Sequence, residues 1–269
     1  MMLYNGNVIN GKNTRSRCMT KIGTMVLEEG RPKLAVSIFG RDEASMKAHL
    51  MEVKKRETEG SFFVDLIEIR MDYFENYGDS LAVEHALQGL RELEPKRPYL
   101  FTWRNATEGG QRTLSSEAYE KLILLAASSG FVDAVDVEAL AFAKAPQWIR
   151  QLQSLGIPVV ASFHDPEGTP EDMESLLERL YETGAEVVKL AVMAETEEDV
   201  KRFTKASYRF TRNFPVPLIS MAMGEAGEIT RKNLKETGSV VTFGAVGKTS
   251  AKGQPAVEEL VPWIKFAEE

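Results

Sequence analysis

The sequence predicts an α/β fold, a (β/α)8 TIM barrel in a single domain, and three observations carry that expectation. Short runs rich in apolar and β-branched residues alternate with longer stretches of helical spacing along most of the chain. Eight such pairs fit into about 235 residues, close to the length at which a barrel of this kind closes. Several of the short runs are apolar on both faces, as strands covered on both sides must be. The competing arrangement is an open doubly wound sheet. That fold wants a glycine-rich fingerprint after its first strand, and Ser37-Ile38-Phe39-Gly40 supplies a single glycine.

The elements follow in order. Residues 1–32 hold no long periodic segment and either cap the bottom of the barrel or lie loose beside it. Strand-like runs fall at 33–38, 63–70, 99–103, 134–137, 159–162, 186–192, 218–221 and 240–243. Helical spacing fills 44–56, 82–93, 117–128, 145–155, 171–183, 197–210, 229–237 and 256–266. Start signals stand at Ser115-Ser116-Glu117, Thr169-Pro170-Glu171 and Thr196-Glu197. Gly130, Gly156, Gly184 and Gly238 close helices just ahead of the next strand.

Composition narrows the function classes. The chain has 269 residues, 43% hydrophobic and 27% charged, with 33 Lys and Arg against 40 Asp and Glu, a net charge of −7. That balance argues against a nucleic-acid partner, which needs a basic face. No apolar run approaches the ~20 residues of a membrane helix. The N-terminal segment lacks the apolar stretch of a signal peptide. Cys18 is the only cysteine, so no disulfide scaffold is expected. A cytoplasmic globular protein is the expectation, and the sequon Asn105-Ala106-Thr107 is read as chance.

In a barrel of this type the chemistry sits where strands end. Lys189 stands inside the apolar run Val187-Val188-Lys189-Leu190-Ala191-Val192, with no acidic neighbour in sequence after Glu186. A lysine there is either an edge residue whose stem packs while its head reaches water, or a desolvated amine able to attack a carbonyl. Glu68, Arg70 and Asp72 share one face by the period of two. They line either a solvent-facing edge or a polar pocket inside the barrel. His164 follows a strand directly and is either a loop-capping histidine or a proton-transfer group. His49 and His85 fall in charged helical stretches and are expected at the surface. No HxH or HExxH spacing occurs, so no metal and no cofactor are expected. Gly244-Ala245-Val246-Gly247-Lys248-Thr249 imitates a phosphate loop, but its spacing is too short and it follows the last strand. Residues 245–254 read instead as a lid loop hinged at glycines.

Six motifs taken together resemble one family. They are Glu68-Ile69-Arg70-Met71-Asp72; Phe101-Thr102-Trp103-Arg104 with Glu108-Gly109-Gly110; Ser162-Phe163-His164-Asp165; Val188-Lys189-Leu190-Ala191; Ser220-Met221-Ala222-Met223; and Thr242-Phe243-Gly244-Ala245 through Ser250-Ala251-Lys252-Gly253-Gln254. Their order and spacing, over residues 33–266, resemble type I 3-dehydroquinate dehydratase. The resemblance implies a cytoplasmic homodimeric barrel that dehydrates 3-dehydroquinate to 3-dehydroshikimate in the shikimate pathway, through a lysine Schiff base, without metal or cofactor. It implies that Lys189 forms the imine, that His164 moves the proton, and that Glu108 orients His164 and supports its charged form. Glu68 and Arg104 would bind ring hydroxyls. Arg231, Ser250 and Gln254 would hold the substrate carboxylate. Met221, Met223 and Phe243 would form apolar walls, and Ser37, Arg70 and Asp72 would touch the substrate or support the residues that do. Two positions depart from the family's usual pattern: Phe163 precedes His164, and Pro166 follows Asp165. The alternatives are another Schiff-base barrel lyase of the class I aldolase kind, and a carboxylate-binding barrel without catalysis.

Overall fold

The computed structural model describes residues 19–28, 30, 32–249, 251 and 253–268. A two-stranded antiparallel hairpin, β1 (Thr20–Ile22) and β2 (Met25–Leu27), comes first. Eight strands then form a parallel sheet: β3 (Lys33–Ile38), β4 (Leu66–Arg70), β5 (Tyr99–Thr102), β6 (Ala134–Glu138), β7 (Val159–Asp165), β8 (Val187–Met193), β9 (Leu218–Met223) and β10 (Val241–Gly244). Each of β3 to β8 pairs in parallel with the next, and β10 returns to pair with β3. Between β9 and β10 there is no ladder. Leu218 accepts from the Val240 amide at 2.8 Å, and the Ser220 amide donates to Ser239 Oγ at 3.0 Å. Ser239 Oγ in turn donates to the Val241 carbonyl at 2.8 Å. A serine hydroxyl thus bridges the seam, and the barrel predicted from the sequence is the fold observed.

The helices follow the strands: α1 (Glu43–Gly60), α2 (Ser80–Leu93), α3 (Ser116–Ser128), α4 (Ala145–Ser154), α5 (Met173–Glu182), α6 (Glu197–Asn213), α7 (Glu228–Lys232), α8 (Leu234–Thr237) and α9 (Val257–Glu268). Ser115 and Thr196 cap their helices as expected, Thr196 in a capping box with Asp199. Thr169 does not. Helix α5 starts later, after Asp172, because the Thr169 hydroxyl donates to the Met193 carbonyl instead. The predicted helix 229–237 breaks at Asn233. Thr242 Oγ1 donates to the Arg231 carbonyl at 2.8 Å, and the Ala222 amide donates to Thr230 Oγ1 at 2.9 Å. The short helix is tied to β9 and β10, and Arg231 is placed by that tie. Gly130, Gly156, Gly184 and Gly238 all take the left-handed backbone that ends a helix.

The barrel interior is layered, with alternate residues of each strand pointing inward. Ala35, Leu66, Leu100, Ala134, Val160, Val187, Ile219 and Val241 form an apolar lower layer, buried together with Ile22, Met25 and Leu27 of the hairpin. Thr20 Oγ1 donates to the Glu186 carbonyl and holds the hairpin there. Two residues further along, six of these strands turn polar, with Ser37, Glu68, Thr102, Asp136, Ser162 and Lys189 all buried, while β9 and β10 stay apolar with Met221 and Phe243. The outward faces pack a separate apolar core against the helices, with Trp148, Phe203 and Leu87 among its buried members. His49 is half-buried, not a surface residue. Its Nε2 lies 3.0 Å from the Val246 carbonyl and its Nδ1 3.2 Å from the Phe39 amide. His85 is exposed as expected.

Candidate active site

A cavity of about 260 Å³ opens at the C-terminal ends of the strands. Of the residues expected to act, Ser37, Glu68, Arg70, Arg104, Glu108, His164, Lys189, Met221, Met223, Arg231, Phe243 and Gln254 all line it. Ser250 lies outside the described residues, as does Lys252 within the expected lid. Met193, Ala191, Pro166 and Ala251 complete the walls without having been expected there.

Lys189 sits at mid-strand in β8, only 4% exposed. It is not the unpaired lysine that its apolar sequence neighbours suggest. Its Nζ donates to Glu68 Oε1 at 2.8 Å and lies 3.4 Å from Asp136 Oδ2, with the Phe243 ring centroid 4.8 Å away. Both carboxylates come from other strands, so proximity in sequence could not reveal them. Glu68 also accepts from Ser37 Oγ at 2.5 Å and Thr102 Oγ1 at 3.2 Å. Burial pushes its carboxyl upward, but the positive charges of Lys189 and Arg70 outweigh that and hold it down at about 2.

Arg70 ends β4 and makes a bidentate pair with Asp72, at 2.8 Å for each bond. Asp72 does not share the strand face. The chain leaves β4 at Arg70 and winds into a 3₁₀ turn, Met71–Tyr73, which folds Asp72 back beneath the guanidinium. That carboxylate also accepts from the Gln111 amide at 3.0 Å.

Glu108 is delivered by a second 3₁₀ turn, Ala106–Glu108. The two glycines that follow have a structural reason. Gly109 is left-handed at φ 84°, and a Cβ on Gly110 would meet the Arg104 carbonyl oxygen at 1.8 Å. The turn can therefore close against the end of β5. Glu108 Oε2 then lies 3.3 Å from His164 Nδ1 and accepts from the His164 amide at 3.0 Å and from Arg104 Nη1 at 3.1 Å. Burial pushes the Glu108 carboxyl up to about 8, reinforced by Glu138 and Asp136 and opposed by Arg104. Burial also lowers His164 well below its ordinary value, helped by Arg104, Lys189, Arg70 and Arg231. A neutral imidazole at neutral pH is the form that can accept a proton.

Two residues at the centre of the site escaped the sequence reading. Asp136 and Glu138 are fully buried on β6. Arg104 Nη2 donates to Asp136 Oδ1 at 2.7 Å, and Nη1 reaches Glu138 Oε1 at 3.3 Å and Ser162 Oγ at 3.0 Å. Glu138 is held further by the Asn105 amide at 2.7 Å and by the Asn105 side chain. That asparagine is 2% exposed, which buries the would-be sequon. The signal for both acids was present in Ala134-Val135-Asp136-Val137-Glu138, an alternation of charge and apolar residue like that of the second strand.

Arg231 differs from every other cation here. It is 2% exposed, and among the described residues no carboxylate bonds it. Its Nη1 touches Met221 Sδ at 3.3 Å and its Nε has no hydrogen-bond partner. Burial lowers it to about 10. A buried guanidinium facing an open cavity has the charge and the free donor to take up an anion. Gln254 stands on the same wall, its Nε2 donating to the Gly244 carbonyl at 3.0 Å.

Comparison with known proteins agrees with this geometry. The sequence model described as type I 3-dehydroquinase matches residues 34–268. A 3-dehydroquinate dehydratase of Listeria monocytogenes is 36% identical over 237 residues, covering 86% of this chain and 91% of the relative. One from Salmonella agona is 33% identical over 240 residues, covering 88% and 93%. Among solved structures, the 3-dehydroquinate dehydratase of Geobacillus kaustophilus superposes with a TM-score of 0.86 at 29% identity, covering 92% of this chain and 95% of that one. The type I enzyme of Clostridium difficile, solved with covalently modified comenic acid, gives 0.86 at 31% identity, covering 94% and 98%. A dihydropteroate synthase of Xanthomonas albilineans, at 14% identity and a TM-score of 0.55, shares the fold alone. On its match over most of its length and its identity to these enzymes, the chain belongs to the type I 3-dehydroquinase family.

Proposed function

We propose that this chain dehydrates 3-dehydroquinate to 3-dehydroshikimate through a Schiff base on Lys189, as a step of the shikimate pathway towards chorismate and the aromatic amino acids. One observation carries the reading. A single cavity of small-molecule size brings together a buried lysine, a histidine backed by a carboxyl group, and a guanidinium without an anion.

The steps follow from those groups. The substrate carboxylate pairs with Arg231 and aims the ring ketone at Lys189. The amine attacks the ketone, and water leaves as the imine forms. The protonated imine withdraws electrons, so the adjacent C–H becomes acidic enough for His164 to remove the proton. The resulting enamine expels the neighbouring hydroxyl, which takes its proton from His164 and departs as water. A second water releases the product and restores the lysine. Glu108, next to His164 Nδ1, orients the ring and takes up part of the charge that appears on it. Glu68 and Arg104 face the ring hydroxyls, with Ser37 and Thr102 fixing the orientation of Glu68 and Arg70 adding its positive charge beside it. Met221, Met223 and Phe243 exclude water from the imine.

In this reading residues 245–254 close over the bound substrate, with Gln254 and Ser250 beside the carboxylate. The chain works as one barrel domain and pairs as a homodimer in the cytoplasm. No helix among the described residues is long and apolar enough to cross a membrane. Incubating the protein with 3-dehydroquinate and following the ultraviolet absorbance of the conjugated enone product tests the reading. Turnover that Lys189→Arg abolishes supports it; no turnover by the unaltered protein overturns it.

A further inference from the structure

Asp136 is the most enclosed carboxylate in contact with Lys189. It is 0% exposed and does not line the cavity. Its two oxygens have different partners. Oδ1 is doubly held, by Arg104 Nη2 at 2.7 Å and by Ser162 Oγ at 2.6 Å. Oδ2 faces Lys189 Nζ at 3.4 Å, its one hydrogen-bond partner among the described residues. Glu68 is placed differently. It lines the cavity, and its oxygens keep Ser37 and Thr102 when the lysine is left out.

Hydrogen counting separates the two acids. An ammonium carries three N–H groups and can serve both carboxylates at once. When it condenses with a ketone, two of those hydrogens leave with the carbonyl oxygen as water. One N–H and the positive charge remain on the imine nitrogen. Two acceptors then compete for one donor. Glu68 can exchange the lysine for a hydroxyl of the bound ring, since it already borders the cavity. Asp136 cannot: its Oδ1 is clamped, and no substrate atom can reach Oδ2. Leaving Oδ2 without a donor in a dry interior is costly.

We propose that Asp136 is a positioning residue that holds the Lys189 nitrogen through imine formation, accepting the single N–H that the imine keeps, while Glu68 passes from the lysine to the substrate. The role rests on the Schiff-base reading above. It also explains why Asp136 bridges Lys189 and Arg104: one immobile carboxylate sets the nitrogen against the group that carries Glu108 and His164.

The test is Asp136→Asn in the full chain. The amide oxygen can keep Arg104 and Ser162 on the Oδ1 side, which turns an NH₂ donor towards Lys189. Capture of 3-dehydroquinate on Lys189 by borohydride reduction should slow at least tenfold. Affinity for the ketone-free analogue quinate should stay within about twofold. If Asp136→Asn does not fold, Ser162→Ala removes one of the two bonds that clamp Asp136 Oδ1 and should slow capture about threefold. No adduct in the unaltered protein would defeat the Schiff-base reading itself. An adduct formed by Asp136→Asn, or by Ser162→Ala where that variant stands in, at the native rate would overturn the role of Asp136 alone. So would a slowing matched by an equal loss of quinate affinity, since that marks a damaged cavity.

Discussion

Replacing Arg231 with methionine should make the empty protein more stable and the substrate complex weaker. The two effects have one origin. Arg231 is buried with no carboxylate bonded to it, and its pKa falls from the usual 12.5 to about 10. At 1.36 kcal/mol per tenfold, that drop corresponds to about 3 kcal/mol of unfavourable charge burial. A lowered arginine opposes folding at every pH below its folded value, so the effect is fully present at neutrality. Methionine keeps most of the apolar volume beside Met221. Allowing for imperfect packing, Arg231→Met should gain about 1–2 kcal/mol, or roughly 2–8 °C in Tm for a chain of this size. Losing a buried, charge-assisted pair with the substrate carboxylate costs about 2–5 kcal/mol, so affinity should fall at least ~30-fold. Thermal unfolding with and without quinate, and calorimetric titration of quinate, read both quantities. A variant that melts lower without ligand, or that binds quinate as tightly as the native protein, would refute the reasoning.

Lys189→Ala should abolish turnover and also lower Tm, since it strands Glu68 and Asp136 as buried carboxylates, a loss of about 3–5 kcal/mol; measurable turnover or an unchanged Tm would contradict this. His164→Ala should lower turnover by ~10²–10⁴ yet still form a reducible adduct, and Glu108→Gln should be milder and add little in the His164→Ala background. Multiplying losses would mean that Glu108 acts independently. The Glu108 carboxyl is raised from 4.5 to about 8, so its contribution to stability is present below 4.5 and is lost as pH rises through 8. Glu108→Gln should therefore gain Tm relative to the native protein on going from pH 6 to pH 9, and a constant difference would count against the raised value. Among the described residues no group of three His, Cys, Asp or Glu side chains could hold a metal ion, and prolonged chelation should leave the rate unchanged. A loss restored by a divalent ion would reverse that expectation.

Periodicity made the barrel legible because each strand and each helix buries its own repeating pattern. Boundaries slipped where tertiary bonds compete with local signals. Thr169 looks like a cap but serves Met193, and the stretch 229–237 reads as one helix but breaks where Thr242 takes the Arg231 carbonyl. Lys189 and His164 stood out because a lysine in an apolar strand and a histidine at a strand end are costly without a purpose, whereas Glu108 was singled out only by the family resemblance. The partners of Lys189 were not legible. Glu68 lies 121 residues away and Asp136 53 residues away, and only barrel closure brings them to one nitrogen. Asp136 and Glu138 were passed over because they contribute nothing to the apolar count that defines β6. His49 was misjudged for the opposite reason: its charged sequence neighbours hide a contact with Val246, nearly 200 residues on.

The most direct test of the account is borohydride reduction of the protein in the presence of 3-dehydroquinate, followed by digestion and peptide mass measurement. A stable adduct is expected on the peptide that carries Lys189, with its formation blocked by excess quinate. No adduct, or an adduct on any other lysine, would contradict it.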